Sequence, residues 1–414
     1  MRRLFLPLLP LTCIVAAPTA SAQDLDAAIA NALAHAPALE AAKAEETAAK
    51  ARLDRAKAER NPLLRVEGSV GTGRIDNGGF FGIRAANTTP LALQGTAEMP
   101  LYAGGRIGSA IDQAEGGAKI AGFQAEHARL QTIVQAISAY SEVLTARKLD
   151  SRFAQLVKEL TEVERQAGLR FKAGEITNSE LAQARARKAE AEGRVASAEA
   201  AYERLTGKPA GNLAPLPDLP RTPSTLDEAL DLARTSNPSL RQARAAVDVA
   251  KAGVRAAKAE GMPQVGAFAE AAHVRDQFFP DYRADSYSVG IRGKWTLFAG
   301  GRVATQTRAA DAQVDASEAR LRQADQALTG MVIDAWTGLA TAHRMVDATR
   351  LQTEAANEAL RGRKLEAQVG SVPVLAVLDA EREAIKADAA LLEARGQRLV
   401  AAWQLNALTG MIEQ

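Results

Sequence analysis

The chain repeats itself. Leu25-Asp26-x-Ala28, followed by Ala36-Pro37-Ala38-Leu39, returns as Leu226-Asp227-x-Ala229 followed by Asn237-Pro238-Ser239-Leu240. Lys57-Ala58-Glu59-x-x-Pro62 returns as Lys258-Ala259-Glu260-x-x-Pro263, at the same offset of 201 residues. Leu101-Tyr102-Ala103-Gly104-Gly105-Arg106 returns as Leu297-Phe298-Ala299-Gly300-Gly301-Arg302, and Leu205-Thr206-Gly207 as Leu408-Thr409-Gly410. The order is kept throughout, so whatever one half folds into, the other must also fold into. The halves are residues 23–207 and 225–414, and the five prolines between Lys208 and Ser224 mark an extended linker, 208–224.

Each half opens on an Ala-, Lys- and Glu-rich stretch, roughly 25–60 and 226–260, that reads as one helix. Pro62 and Pro263 end these helices, because proline has no N–H to continue the ladder. A pair of strands follows in each half, at about 63–72 and 91–101, then about 264–274 and 287–297. Leu64, Val66, Gly68 and Val70 alternate with Arg65, Glu67 and Ser69. Leu91, Leu93, Ala97, Met99 and Leu101 oppose Gln94, Thr96 and Glu98. Tyr287, Val289, Ile291, Trp295 and Leu297 oppose Ser288, Arg292, Lys294 and Thr296. Residues 264–274 alternate poorly and are assigned from the repeat. The segments Arg74 to Pro90 and Gln277 to Ser286 join the strands as loops.

After each Gly-Gly-Arg a very long helix is predicted, about 106–172 and 302–368. At ~1.5 Å per residue such a helix reaches roughly 100 Å. Leu130, Ile133, Ile137, Tyr140 and Leu144, then Leu149, Phe153, Leu156, Leu160 and Val163, step by threes and fours as a coiled-coil seam does. Gly174 and Gly370 permit tight turns, and return helices run through 179–205 and 375–408. Aromatic residues make up only 4% of the chain, which suits long helices packed through small side chains rather than a bulky core.

The first 22 residues have the form of an export signal. Arg2 and Arg3 precede the apolar stretch Leu4 to Ala17, and Ala20-Ser21-Ala22 is a small-x-small cleavage site. Pro7 and Pro10 interrupt that stretch and Pro18 follows it, and it is too short for a membrane span. The one cysteine, Cys13, lies inside it, with Thr12 where a lipidation signal has a smaller residue. The mature chain is therefore expected to begin at Gln23 with no thiol and no disulfide. The whole chain has 51 Lys+Arg against 49 Asp+Glu, and the signal removes two arginines and no acids. A net charge near zero gives no support for nucleic-acid binding.

Beyond residue 22 no apolar run is long enough for a membrane-spanning helix. Alternating strands can still cross lipid when they close into a barrel with no free edge. Four strands cannot close alone. Two chains would supply eight, whose interior fills with side chains; three would supply twelve and leave a lumen. Tyr287 and Trp295, eight residues apart on the apolar face, span ~27 Å along a strand and suit an aromatic girdle. A β-sandwich with one wet face would show the same alternation.

The two-fold repeat, the Pro-ended helices, the two Gly-Gly-Arg exits and the turns beginning at Gly174 and Gly370 together resemble the TolC-like outer membrane efflux proteins, or outer membrane factors. The resemblance covers nearly the whole mature chain. It implies a mainly α fold with a membrane β-barrel: a tandem repeat of helix, β-hairpin, long helix and helix. Three copies would form a twelve-stranded barrel in outer-membrane lipid and a twelve-helix α-barrel tunnel across the periplasm. It also implies a periplasmic adaptor (membrane fusion) protein docking at the Gly174 and Gly370 tips, and an inner-membrane transporter that drives efflux or type I secretion. The channel itself would be a passive duct without cofactors. Asp379 and Glu180 would sit at the periplasmic aperture. Ala376, Val372 and Ala367 stand where the best-known pattern has an aspartate, an arginine and a tyrosine, so its polar latch is not expected here.

Nothing in the sequence points to catalysis. His35, His127, His273 and His343 lack ligand spacing. Gly68, Gly71 and Gly73 have no phosphate-loop lysine after them, and no Ser, His and acid set stands out. The remaining alternative is a periplasmic coiled-coil scaffold or adhesin without a pore, which leaves the four amphipathic strands unexplained.

Overall fold

The computed structural model describes residues 23–76, 78, 85–170, 178–372 and 374–412. The expected signal with Cys13, and the Gly174 turn, lie outside the described residues. The chain divides into two compact units. One takes in the residues up to His35, Gln135–Leu219 and Ala342–Val400; the other takes in Ala36–Val134, Pro220–Thr341 and Ala401–Gln414.

The opening helix of each repeat is broken rather than continuous. α1 (Leu25–His35) gives way to α2 (Pro37–Ala58), as α5 (Leu226–Ser236) does to α6 (Pro238–Ala259). The break falls where an X-Pro step forces the preceding residue out of the helical region. Ala36 stands at ψ 109° and Asn237 at ψ 124°. Proline then serves as the first residue of the next helix, where its missing N–H costs nothing. The second repeat caps this break better. Asn237 Oδ1 accepts from the Ser239 and Leu240 N–H groups, at 3.0 and 3.4 Å, while its Nδ2 donates to Leu408 O at 3.1 Å. Ala36 offers no such bonds.

Four strands form one antiparallel sheet in the order β1 (Leu63–Val70), β4 (Leu91–Tyr102), β5 (Gln264–Arg275), β6 (Arg283–Lys294). The two hairpins thus join through β4 and β5, and β1 and β6 are left as edges. A small pair, β2 (Gly73–Ile75) with β3 (Ala86–Thr88), extends the first hairpin inside the segment read as loop. The last strand starts and stops earlier than its alternation suggests. Its ladder with β5 runs from Arg275↔Arg283 to Gln264↔Lys294 and stops there. Pro263, next on β5, has no N–H to extend the ladder, so Trp295 and Leu297 lie past the strand. Pro100 has a comparable effect on β4, where the register with β5 shifts between Pro100 and Tyr102.

The long helices are α3 (Arg106–Arg170) and α7 (Arg302–Gln368), each answered by a return helix, α4 (Asn178–Thr206) and α8 (Val374–Thr409). The seam residues Ile133, Ile137, Tyr140 and Leu156 are buried. Leu156 packs with Leu378 and Ile385 of α8, flanked by Leu149 and Phe153. In the sheet-bearing unit, Gly116 of α3 lets Val249 of α6 lie against its backbone, where any side chain would collide.

The proline-rich segment is extended but pinned. Gln23 bridges Leu213 in parallel. The fully buried Tyr140 donates to Ala214 O at 2.7 Å and Gln23 O at 3.1 Å. Removal from water is the main reason its phenol is pushed up to about 12. Arg147 donates to the Gly211 and Ala210 carbonyls and to Glu199.

Candidate functional site

The sheet has two chemically different faces. Register places Leu64, Ala97, Ala269 and Val289 in one row across the strands, and Val66, Gly95, Ala271 and Tyr287 in the next. This face is apolar yet uncovered: Leu64 is 74% exposed, Val289 83% and Tyr287 91%. A contiguous apolar surface of this kind marks contact with lipid or a partner.

The opposite face is polar. Arg292 donates to Glu270 at 2.7 Å, lies 3.6 Å from Glu98, and holds its guanidinium 4.4 Å from the centre of the Phe268 ring. Phe268 lies over Gly290, where an added Cβ would come within 3.1 Å of the ring. The sequence reading missed this cluster because β5 alternates too weakly to show which of its residues share a face.

The strand-to-helix exits are type I′ turns. Arg106 N donates to Ala103 O at 3.0 Å and Arg302 N to Ala299 O at 3.1 Å. The two central glycines of each turn have positive φ: 60° and 89° at Gly104 and Gly105, 58° and 81° at Gly300 and Gly301. Such turns need φ > 0 at both central residues, which explains the repeated Gly-Gly. Gly104 is also crowded by Met262 and by the Ala259 and Pro263 carbonyls, whereas Gly300 faces open space. Pro62 and Pro263 sit one residue before β1 and β5. Just beyond β6, the Trp295 indole donates to Gly261 O at 3.1 Å, while Tyr287 lies well within the strand.

In the helical unit, Gly370 ends α7. Its φ is 77°, and Ser371 N reaches back to Glu366 O at 2.9 Å, the signature of a left-handed helix cap. Asp379 lies six residues into α8, and Glu180 near the start of α4. The Asp379 carboxylate is not free: Arg382, one turn on, donates to it and also to Gln183 of α4 at 3.2 Å. That i, i+3 spacing is legible in the sequence.

A second acid in this region carried no sequence signal. Glu381, on the buried side of α8, meets Glu159 and Arg152 of α3, and Lys364 Nζ of α7 at 3.9 Å. Burial first, then the hydrogen bond and repulsion from Glu159, push its carboxyl up to about 7. The folded chain therefore holds this proton more tightly than the unfolded one. Stability is full below the ordinary carboxylate range, falls as pH rises toward 7, and stays reduced above it. Glu381→Gln is expected to match the parent at pH 5 and to exceed it at pH 8 by about 1–2 kcal/mol, a value discounted for partial solvent access. Urea unfolding at the two pH values checks this; equal stability of both proteins at pH 8 would contradict it.

Among the described residues no group of three or more His, Cys, Asp or Glu side chains could hold a metal, and no helix is long and apolar enough to cross a membrane.

Comparison with known proteins agrees with this geometry. A family described as Outer membrane efflux protein matches twice in tandem, over residues 28–206 and 229–411. The chain is 25% identical over 219 residues to the outer membrane efflux protein BepC of Brucella suis biovar 1, covering 51% of this chain and 48% of that one. It is 34% identical over 123 residues to the alkaline protease secretion protein AprF of Pseudomonas aeruginosa, covering 28% and 26%. It thus spans about half the length of the first relative and a quarter of the second. The fold is similar to that of the Campylobacter jejuni CmeC outer membrane channel, with a TM-score of 0.79 at 15% identity over 93% of this chain and 85% of that one.

Proposed function

Since this chain belongs to the outer membrane efflux protein family, we propose that it is one subunit of a trimeric exit channel through the outer membrane. The observation that carries this reading is the open four-stranded sheet, with an uncovered apolar face and two unpaired edges. Unpaired backbone groups cannot face hydrocarbon, so β1 of one copy must find β6 of another. Three copies give twelve strands, whose polar faces, with Arg292, Glu270 and Glu98, line the lumen. A pore-free scaffold is disfavoured, because it gives the apolar face nothing to meet.

Efflux and protein secretion both fit such a duct, as the names of the two relatives illustrate. In either case an inner-membrane transporter supplies the energy. A periplasmic adaptor docks at the Gly174 and Gly370 positions. Pro62 and Pro263 take the chain from helix to strand, and the two Gly-Gly pairs take it from strand back to helix. Trp295 anchors the inner rim of the barrel, with Tyr287 higher on the same wall. The detergent-extracted protein is expected to be a trimer that conducts ions in a planar bilayer. A monodisperse monomer in the soluble periplasmic fraction would overturn the reading.

At the periplasmic aperture, three copies of Asp379 surround one axis, with Glu180 on the neighbouring hairpins. A ring of carboxylates attracts cations where the passage is narrow. Arg382 offsets part of that charge, so Asp379→Asn should move the reversal potential in a salt gradient only modestly toward anions. Arg382→Gln should move it the other way, with trimer yield unchanged in both variants. Identical reversal potentials in all three proteins would remove Asp379 from the aperture.

A further inference from the structure

On the apolar face, the row that closes the outward end of the sheet is Val70, Leu91, Arg275 and Arg283. Leucine and valine continue the lipid-facing surface on β1 and β4, while β5 and β6 place two arginines directly opposite each other. Like charges in that position destabilise a sheet unless something else neutralises them. Nearby acids do so only in part. Asp285, one row inward, is bonded to His273 at 2.6 Å. Asp276 lies 3.7 Å from Arg275 Nε and also accepts the Asp281 N–H at 2.7 Å. Arg283 has no partner among the described residues.

The height of the row is also informative. Val265 and Arg275 share this face ten residues apart, which is ~34 Å along a strand and ~26 Å along a barrel axis at a tilt near 40°. The outer apolar band of such barrels is about 25 Å tall. The arginines therefore stand at the level of the outer-leaflet headgroups, above Leu93, Tyr287 and Ala271.

Resting on the channel reading above, we propose that Arg275 and Arg283 form a binding site for the phosphate of an outer-leaflet lipid, whose acyl chains run down the apolar wall. A paired guanidinium fork suits phosphate oxygens, and the apolar rows below favour a lipid over a free anion. His273 and Asp285 set the lower border of the site.

The test uses the full-length trimer in detergent, with titration of bis-phosphorylated lipid A followed by native mass spectrometry. Arg275→Gln/Arg283→Gln is expected to bind roughly 25-fold more weakly, at about fivefold per arginine. Arg65→Gln, on the polar face, should bind as the parent does, as should parent protein challenged with millimolar orthophosphate. Lipid A stripped of its phosphates should bind parent and double variant alike. Undiminished binding by a double variant that still conducts overturns this inference alone, and displacement by orthophosphate overturns the choice of a lipid. A parent protein that neither inserts nor conducts overturns the channel reading itself.

Discussion

Val289→Arg is expected to abolish membrane assembly, while Ser288→Arg, one residue away, leaves a conducting trimer. Val289 shares its row with Leu64, Ala97 and Ala269, near the middle of the apolar face. An arginine facing lipid at mid-depth costs ~2–4 kcal/mol per chain, and symmetry makes that about 6–12 kcal/mol per trimer. Ser288 lies opposite Glu270 on the polar face, where an added arginine meets water and a carboxylate. Heat-resistant trimer on gels and bilayer conductance read the result. Equal behaviour of the two variants would mean that the apolar face does not meet lipid.

Gly104→Ala should damage the protein far more than Gly300→Ala, although both glycines have nearly the same positive φ. Any L-residue in that conformation costs ~1–2 kcal/mol. At Gly300 that is the whole effect, because the added methyl enters open space. At Gly104 it would strike Met262 and crowd two carbonyl oxygens. Overpacking adds about 1–3 kcal/mol more. Denaturant midpoints of the two variants measure the gap. Because the atom struck is Met262 Cβ, which alanine keeps, Met262→Ala should recover little of the loss in Gly104→Ala. Met262→Gly, which removes that atom, should recover part of it and none of the loss in Gly300→Ala.

Much of the architecture could be read from the residues because it is written locally. Proline ends a helix, Gly-Gly makes a turn, and a threes-and-fours pattern makes a seam. Each of these depends on a few neighbours in the chain. Other features depend on partners far away. Alternation continues through Trp295 and Leu297, but the end of β6 is set by Pro263, the residue just before β5 and some thirty residues earlier. Ala36-Pro37 and Asn237-Pro238 lie within stretches whose composition favours one continuous helix, although the X-Pro step breaks the helix there. The linker was expected to be extended; the grip of Tyr140 and Arg147 on its carbonyls has no sequence signature. Asp379 drew attention through family likeness, while Glu381, two residues away, is the buried acid. Separating the two requires knowing which side of α8 faces α3.

The unpaired edges of β1 and β6 have a consequence for biogenesis. A newly exported chain with this sheet already formed would offer two sticky strand margins and a wet hydrocarbon wall, the very features that nucleate aggregates. Transit is safer if the strands order only as neighbouring copies arrive, so that folding of this region and oligomerisation become one concentration-dependent event. The helical unit carries its own buried core and owes nothing to that timing. The chain would then reach its membrane half-dressed, its helices set and its strands waiting for company.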